Sequence, residues 1–191
     1  MIINEEYEIG LKTMAVMYHI DASFQTRMID LDGDYLTSKS PQKLFDEICL
    51  KHGSTYEGRR EAVVRSLGYE KRTPFLPALG IYTFPSASPQ HFDCVWLFPR
   101  HILQIVPHPT NHHHSIVKFH NGSELVVKAR PAFLKAQYER TAASALRFQF
   151  MDLIHLNKEL LFDKAKGTEE CFLFRLHGNQ SLAKDHKIWS L

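Results

Sequence analysis

The sequence predicts an α+β fold: a single domain of antiparallel β-sheet with two or three helices, the longest starting near residue 131. Three observations lead there. Two β-prone runs, Ser115–His120 and Ser123–Arg130, flank Asn121-Gly122, the strongest hairpin signal in the chain, and predict a type I′ turn. Prolines are dense from Thr73 to Pro109, with short β-prone runs between them. Beyond Pro131 the apolar residues Leu134, Tyr138, Ala142, Ala145 and Phe148 recur at intervals of three or four, which is helical spacing.

Taken in order, residues 7–20 show no clean helical stripe, and Ala15–Tyr18 reads as a strand. Ser23–Asp30 reads as a second, with Phe24, Thr26 and Met28 alternating, and Leu31–Asp34 as a turn. Ser40 before Pro41 is a helix start, an N-cap hydroxyl followed by proline at the first helical position. Leu44, Phe45, Ile48 and Cys49 then form one apolar stripe, and Gly53 ends the helix. A second helix spans Ser54–Leu67, with Val63, Val64 and Leu67 inward, and stops at Gly68. Gly58 inside it argues against a helix, since glycine there costs about 1 kcal/mol relative to alanine.

Among the prolines 74, 77, 85, 89, 99, 107 and 109, the strands are Ile81–Phe84, Cys94–Phe98 and Ile102–Val106. The helix from Pro131 runs to about Leu161. A polar linker over Asp163–Glu170, a final strand over Cys171–Leu176 and a loosely ordered tail from His177 complete the reading. No internal repeat or domain linker stands out, so the whole chain, 1–191, is read as one domain.

Composition narrows the function. The 191 residues are 44% hydrophobic and 23% charged, ordinary for a globular protein, and 23 Lys+Arg against 21 Asp+Glu give a net charge of +2. That excludes a histone-like, purely electrostatic nucleic-acid binder, but a local basic patch can exist at any net charge. Cys49, Cys94 and Cys171 are odd in number and form no CxxC pair, so no zinc ribbon or disulfide framework is expected and a reducing compartment fits. The N-terminus is acidic where a signal peptide is basic, and no apolar run is long enough to span a bilayer; the expected location is cytoplasmic, with no membrane partner.

Catalytic and metal signatures are absent. His112-His113-His114, near His108 and His120, are consecutive, so on an extended segment they point to alternate sides and cannot converge on one ion. A solvated loop is the expectation. Asp30, Asp32 and Asp34 lack the glycine and glutamate positions of a calcium loop. No nucleophile elbow, phosphate loop or dinucleotide fingerprint occurs, so neither an enzyme nor a cofactor is expected.

Basic residues are more telling. Arg59 and Arg60 follow the small-residue run Gly53-Ser54-Thr55-Tyr56-Glu57-Gly58, with Arg65, Lys71 and Arg72 soon after. Hydroxyls, backbone N–H groups and guanidiniums together suit phosphates. Arg140 and Arg147, seven apart, share one face of the long helix. By itself the cluster points to a nucleic-acid or anion site; for nucleic acid the contacts would be Ser54, Thr55, Arg59, Arg60, Arg65, Arg72, Arg140 and Arg147, with Arg59 and Arg60 foremost and the two glycines letting the backbone approach. The competing view makes Arg59 structural, tied to a carboxylate such as Glu57 or Asp46, with the long helix carrying binding.

Six segments in order resemble the competence transcription factor (ComK) family. They are His52–Arg60; Arg72 and Pro74; Tyr82-Thr83-Phe84-Pro85; Cys94-Val95-Trp96 with His101-Ile102; Val117–Gly122; and Gln137 with Arg140-Thr141-Ala142. The resemblance covers about residues 5–150 and leaves a divergent segment from about 151. It implies a transcriptional activator of competence (DNA-uptake) genes. Such a protein binds paired AT-rich boxes largely through the minor groove, as a dimer or higher multimer on DNA. It implies as partners RNA polymerase and a Clp protease adaptor. The alternative is a protein-interaction or ligand-binding regulator that has kept the fold and lost activation.

Overall fold

The structure is a computed structural model that describes residues 1–165, with side chains through residue 148. The chain divides into two compact units, Met1–Arg147 and Phe148–Leu191. Along the chain come β1 (Ile2–Ile3), β2 (Thr13–Tyr18), β3 (Thr26–Asp30), β4 (Gly33–Thr37), α1 (Pro41–Lys51), α2 (Tyr56–Leu67), β5 (Phe75–Ala78) and β6 (Ile81–Pro85). Then follow β7 (Val95–Leu97), a 3-10 turn (Pro99–His101), β8 (Ile102–Pro107), β9 (Ser115–Phe119), β10 (Glu124–Val127) and α3 (Pro131–Ala165). Of the second unit, the described part is α3 from Phe148 to Ala165. The fold class is α+β, as the patterning predicts.

The strands form a seven-stranded sheet in the order β1-β4-β3-β2-β7-β6-β5 and a three-stranded sheet in the order β10-β9-β8. Pairing is antiparallel except at the edge, where β1 runs parallel to β4. The large sheet is covered on both faces. On one, Val16, Met28, Phe75 and Trp96 pack with Leu44, Phe45, Ile48, Cys49 and Tyr56 from α1 and the start of α2. On the other, Met14, Ile29, Val95 and Leu97 pack with Ile105, Val117, Phe119, Val127 and Leu134 from the small sheet and α3. Trp96 faces one core and its neighbours Val95 and Leu97 the other, the strand period of two at work.

The α1 prediction holds: the Ser40 hydroxyl accepts from Lys43 N at 3.2 Å, and Leu44, Phe45, Ile48 and Cys49 are buried. Its last cap residue is His52, and Gly53 follows with φ 66°. The α2 helix starts at Tyr56, with Ser54 and Thr55 outside it, and ends on left-handed Gly68. Val63 is buried, while Val64 and Leu67 are half-buried. Burial pushes both the Cys49 and the Cys94 thiols up to about 11, so each stays protonated and unreactive at neutral pH.

Three expectations need correction. The hairpin exists, but its turn is not type I′. Lys118 pairs with Glu124, and Phe119 N donates to Ser123 O at 2.9 Å, leaving the three-residue loop His120-Asn121-Gly122. Gly122 N donates to Phe119 O, and only Gly122 has positive φ, 84°; Asn121 does not. A two-residue type I′ turn needs both central residues there. Instead the Asn121 side chain accepts from Ser123 N and Ser123 Oγ, which holds the longer loop. Second, α3 continues to Ala165, so Asp163–Ala165 are helical where a linker was expected. The remainder of that linker, the Cys171–Leu176 strand and the tail from His177 lie outside the described residues. Third, Ile2–Ile3, Gly33–Thr37 and Phe75–Ala78 are strands that the patterning leaves out.

His101 is a buried histidine whose role sequence patterning does not reveal. It is 7% exposed, and its Nε2–H donates to the Leu11 carbonyl at 2.8 Å, tying the β1–β2 connection to the sheet. Burial holds the imidazole below the usual histidine range, against the Leu11 bond, which pulls the other way. The unfolded chain takes up this proton near pH ~6.5, where the folded ring still resists it. The contribution to stability is therefore present in full above that pH and is lost as pH falls through it. Thermal melts from pH 8 to 5.5 should show Tm falling, and falling less steeply in His101→Gln, whose amide nitrogen can take the place of Nε2 without titrating. Parallel curves would remove His101 as the cause.

Candidate nucleic-acid interface

The basic residues sort into two groups, one at each end of α2. At its start, Thr55 is the N-cap, with extended backbone (φ −116°, ψ 159°) and a hydroxyl that accepts from Gly58 N at 3.1 Å. Glycine at 58 leaves this cap room, because a Cβ there would sit 3.1 Å from Thr55 Oγ1, a tight contact that the hydroxyl would have to ease by a few tenths of an ångström. Tyr56, the first helical residue, is buried against Phe45 and Phe75 and anchors this end to the core.

Arg59 turns back on the α1–α2 loop. Its Nε donates to Ser54 Oγ at 2.7 Å and its Nη2 to the His52 carbonyl at 3.4 Å. It is half-buried and forms no ion pair with Glu57 or Asp46 among the described residues. Neutral groups hold it, and its geometry closes the loop that carries Ser54 and Thr55. Arg60 is exposed and pairs with Glu57 at 3.3 Å; Arg65, further along in the last turn of α2, pairs with Glu61 at 2.6 Å, both partners exposed. Such pairs are worth about 0–1 kcal/mol and yield readily to a stronger anion.

At the other end of α2, roughly 18 Å away by helical rise, Arg72 and Arg140 are exposed and, among the described residues, pair with no carboxylate. Each guanidinium lies over an aromatic ring: Arg72 4.7 Å from the centre of Phe133, Arg140 5.3 Å from that of Tyr69. A ring holds the cation by its quadrupole without neutralising it, so the charge stays available to an anion. Lys71, also exposed, stands beside Arg72. The Arg72 carbonyl accepts from Gln137 Nε2 at 2.7 Å. Phe133, Gln137 and Arg140 follow a 0, 4, 7 spacing on one face of α3, and Arg147, exposed, lies two turns beyond Arg140.

The structure thus brings Ser54, Thr55, Arg59 and Arg60 together, and Arg72 with Arg140, but separates the two groups by the length of α2. Patterning does not single out Tyr69 and Phe133; an aromatic beside a basic residue has no distinctive spacing when its partner lies on another element. His112 and His113 are exposed in the β8–β9 loop, and His113 accepts from Arg130 Nε at 3.1 Å. Among the described residues no three His, Cys, Asp or Glu gather as a metal group, and no helix is long and apolar enough to cross a membrane.

Residues 4–154 match the model of the ComK protein family. The chain belongs to the ComK family, a family of competence transcription factors. No curated protein and no solved structure matches it. The matched span runs from just after β1 into α3 and takes in β2 to β10 and both groups of arginines. Much of the ComK resemblance falls on scaffold: Tyr82–Pro85 on β6, Cys94-Val95-Trp96 at β7, Val117–Gly122 at the hairpin. The His52–Arg60 segment and Gln137–Ala142 are where it meets the basic surface.

Proposed function

We propose that this ComK-family protein is a DNA-binding activator of competence genes that acts in the cytoplasm and takes AT-rich promoter DNA largely through the minor groove. The observation that carries this reading is the pair Arg72 and Arg140, exposed, held on aromatic rings and paired with no carboxylate among the described residues. The minor groove of A-tracts is narrow and strongly negative, so a few guanidiniums gain much there, and a near-neutral chain needs no large basic face. Minor-groove edges barely distinguish A·T from T·A, so specificity comes from box spacing read by two or more copies. RNA polymerase and a Clp protease adaptor are the further partners of this role.

Mobility shift on AT-rich promoter DNA against a GC-rich duplex of equal length tests it. The expected result is tighter binding of the AT-rich duplex, with affinity falling steeply as salt rises. Equal, weak binding to both would favour a regulator that acts through protein or small-molecule contacts.

A further inference from the structure

We infer that Gln137 is a positioning residue, holding the Tyr69–Thr73 loop in the one backbone arrangement that presents Arg72 to nucleic acid. The inference rests on the DNA-binding reading and deepens it. Gln137 is fully buried, and its Nε2 donates to the Arg72 carbonyl at 2.7 Å. Its Oε1 is buried too and has no hydrogen-bond partner among the described residues. A buried acceptor without a partner carries the full cost of losing water, so an apolar side chain of similar length would suit the core better.

Arg72 carries a second cost. Its φ is 50°, the one positive value outside glycine among the described residues, in a region that side chains with a Cβ adopt under strain. Glycine at 72 would remove that strain, but it would also remove the guanidinium. Three contacts hold the strained turn. Gln137 fixes the Arg72 carbonyl, the Phe133 ring lies under its guanidinium, and the buried Thr73 hydroxyl donates to the Tyr69 carbonyl at 2.6 Å. Tyr69, at the other end of the same loop, carries Arg140 on its ring. One amide on α3 therefore governs a loop on which both guanidiniums depend. The two costs share one outcome, an arginine projected from a position where the chain would otherwise turn with glycine.

The test is a double-mutant cycle of Gln137→Met and Arg72→Ala, read by fluorescence anisotropy on AT-rich duplex DNA across a salt series. Methionine keeps the length and helix preference of Gln137 and removes both the donor and the stranded acceptor; Gln137→Leu is the second variant should it fold poorly. In the otherwise unchanged protein, Gln137→Met should keep or raise Tm, weaken binding about tenfold and make the salt slope shallower by about one. In the Arg72→Ala background it should add less than about twofold, because the side chain it positions is gone. Without DNA, amide exchange should rise across Tyr69–Thr73 and not in β2 or β7. Equal losses in both backgrounds, or binding and slope like the unmodified protein while Arg72→Ala alone binds weakly, would overturn the positioning role and leave DNA binding standing. Failure of the unmodified protein to select AT-rich DNA would overturn both.

Discussion

Replacing Phe45 with alanine should destabilise the folded chain by about 3–5 kcal/mol, seen as a lower urea midpoint at an unchanged slope. Phe45 is fully buried on α1, and three aromatic rings surround it: Trp96 with ring centres 4.8 Å away, Phe75 at 5.4 Å and nearly edge-on at 85°, and Tyr56 at 6.5 Å. The four rings join α1, α2, β5 and β7, so the site cannot collapse around a missing ring without moving two helices off the sheet. Against a total stability of about 5–15 kcal/mol for domains generally, that loss leaves the fold marginal. Leu50→Ala on the same helix removes a side chain that is 66% exposed and should change stability by less than about 0.5 kcal/mol. A loss below about 1 kcal/mol at Phe45 would mean that the aromatic cluster repacks and does not lock α2 in place.

The elements that patterning finds and those it misses differ for physical reasons. The α1 helix is legible because one face meets the sheet and the other water, so its stripe is clean and its cap is a Ser-Pro pair. The β2 strand has no clean alternation because both faces of its sheet are covered: Met14 and Met17 pack on one side and Val16 on the other. A bulge between Thr13 and Ala15 disturbs the period further. The β5 strand contains Pro77, which argues against a strand, yet β5 is the outer strand of the sheet and its register breaks between Phe75 and Ala78. There the missing N–H costs no ladder bond. Glycine at 58 argues against α2 by propensity, but it falls in the first turn, beside the Thr55 hydroxyl that accepts from its N–H. In the candidate site, residue types and helix face could be read from spacing, as with Arg140 and Arg147. Which arginines are tied down could not, because the Arg59–Ser54 and Arg140–Tyr69 contacts join segments through loops.

The substitutions Arg72→Ala and Arg140→Ala, made together, should weaken binding to AT-rich DNA by about 10- to 100-fold and make the salt slope shallower by about two, one unit for each lost contact. Tm should fall by no more than several degrees. The side chains are exposed, and each gives up one cation–π contact worth about 0.5–1 kcal/mol at such a site. Binding loss with the fold intact is what separates an interface from a scaffold. Arg60→Ala with Arg65→Ala is the matched control at the other group and along α2, since those side chains are also exposed but face Glu57 and Glu61. Removing them unmasks two carboxylates as well as deleting two cations, so a loss there comes partly from repulsion and should be similar on AT-rich and mixed DNA. For Arg72 and Arg140 in the minor groove, the loss should be larger on A-tracts than on mixed sequence. If the α2 pair alone shows the A-tract-dependent loss and the Arg72–Arg140 pair binds like the unmodified protein, the groove is read along α2. The aromatic-held guanidiniums would then be part of the scaffold.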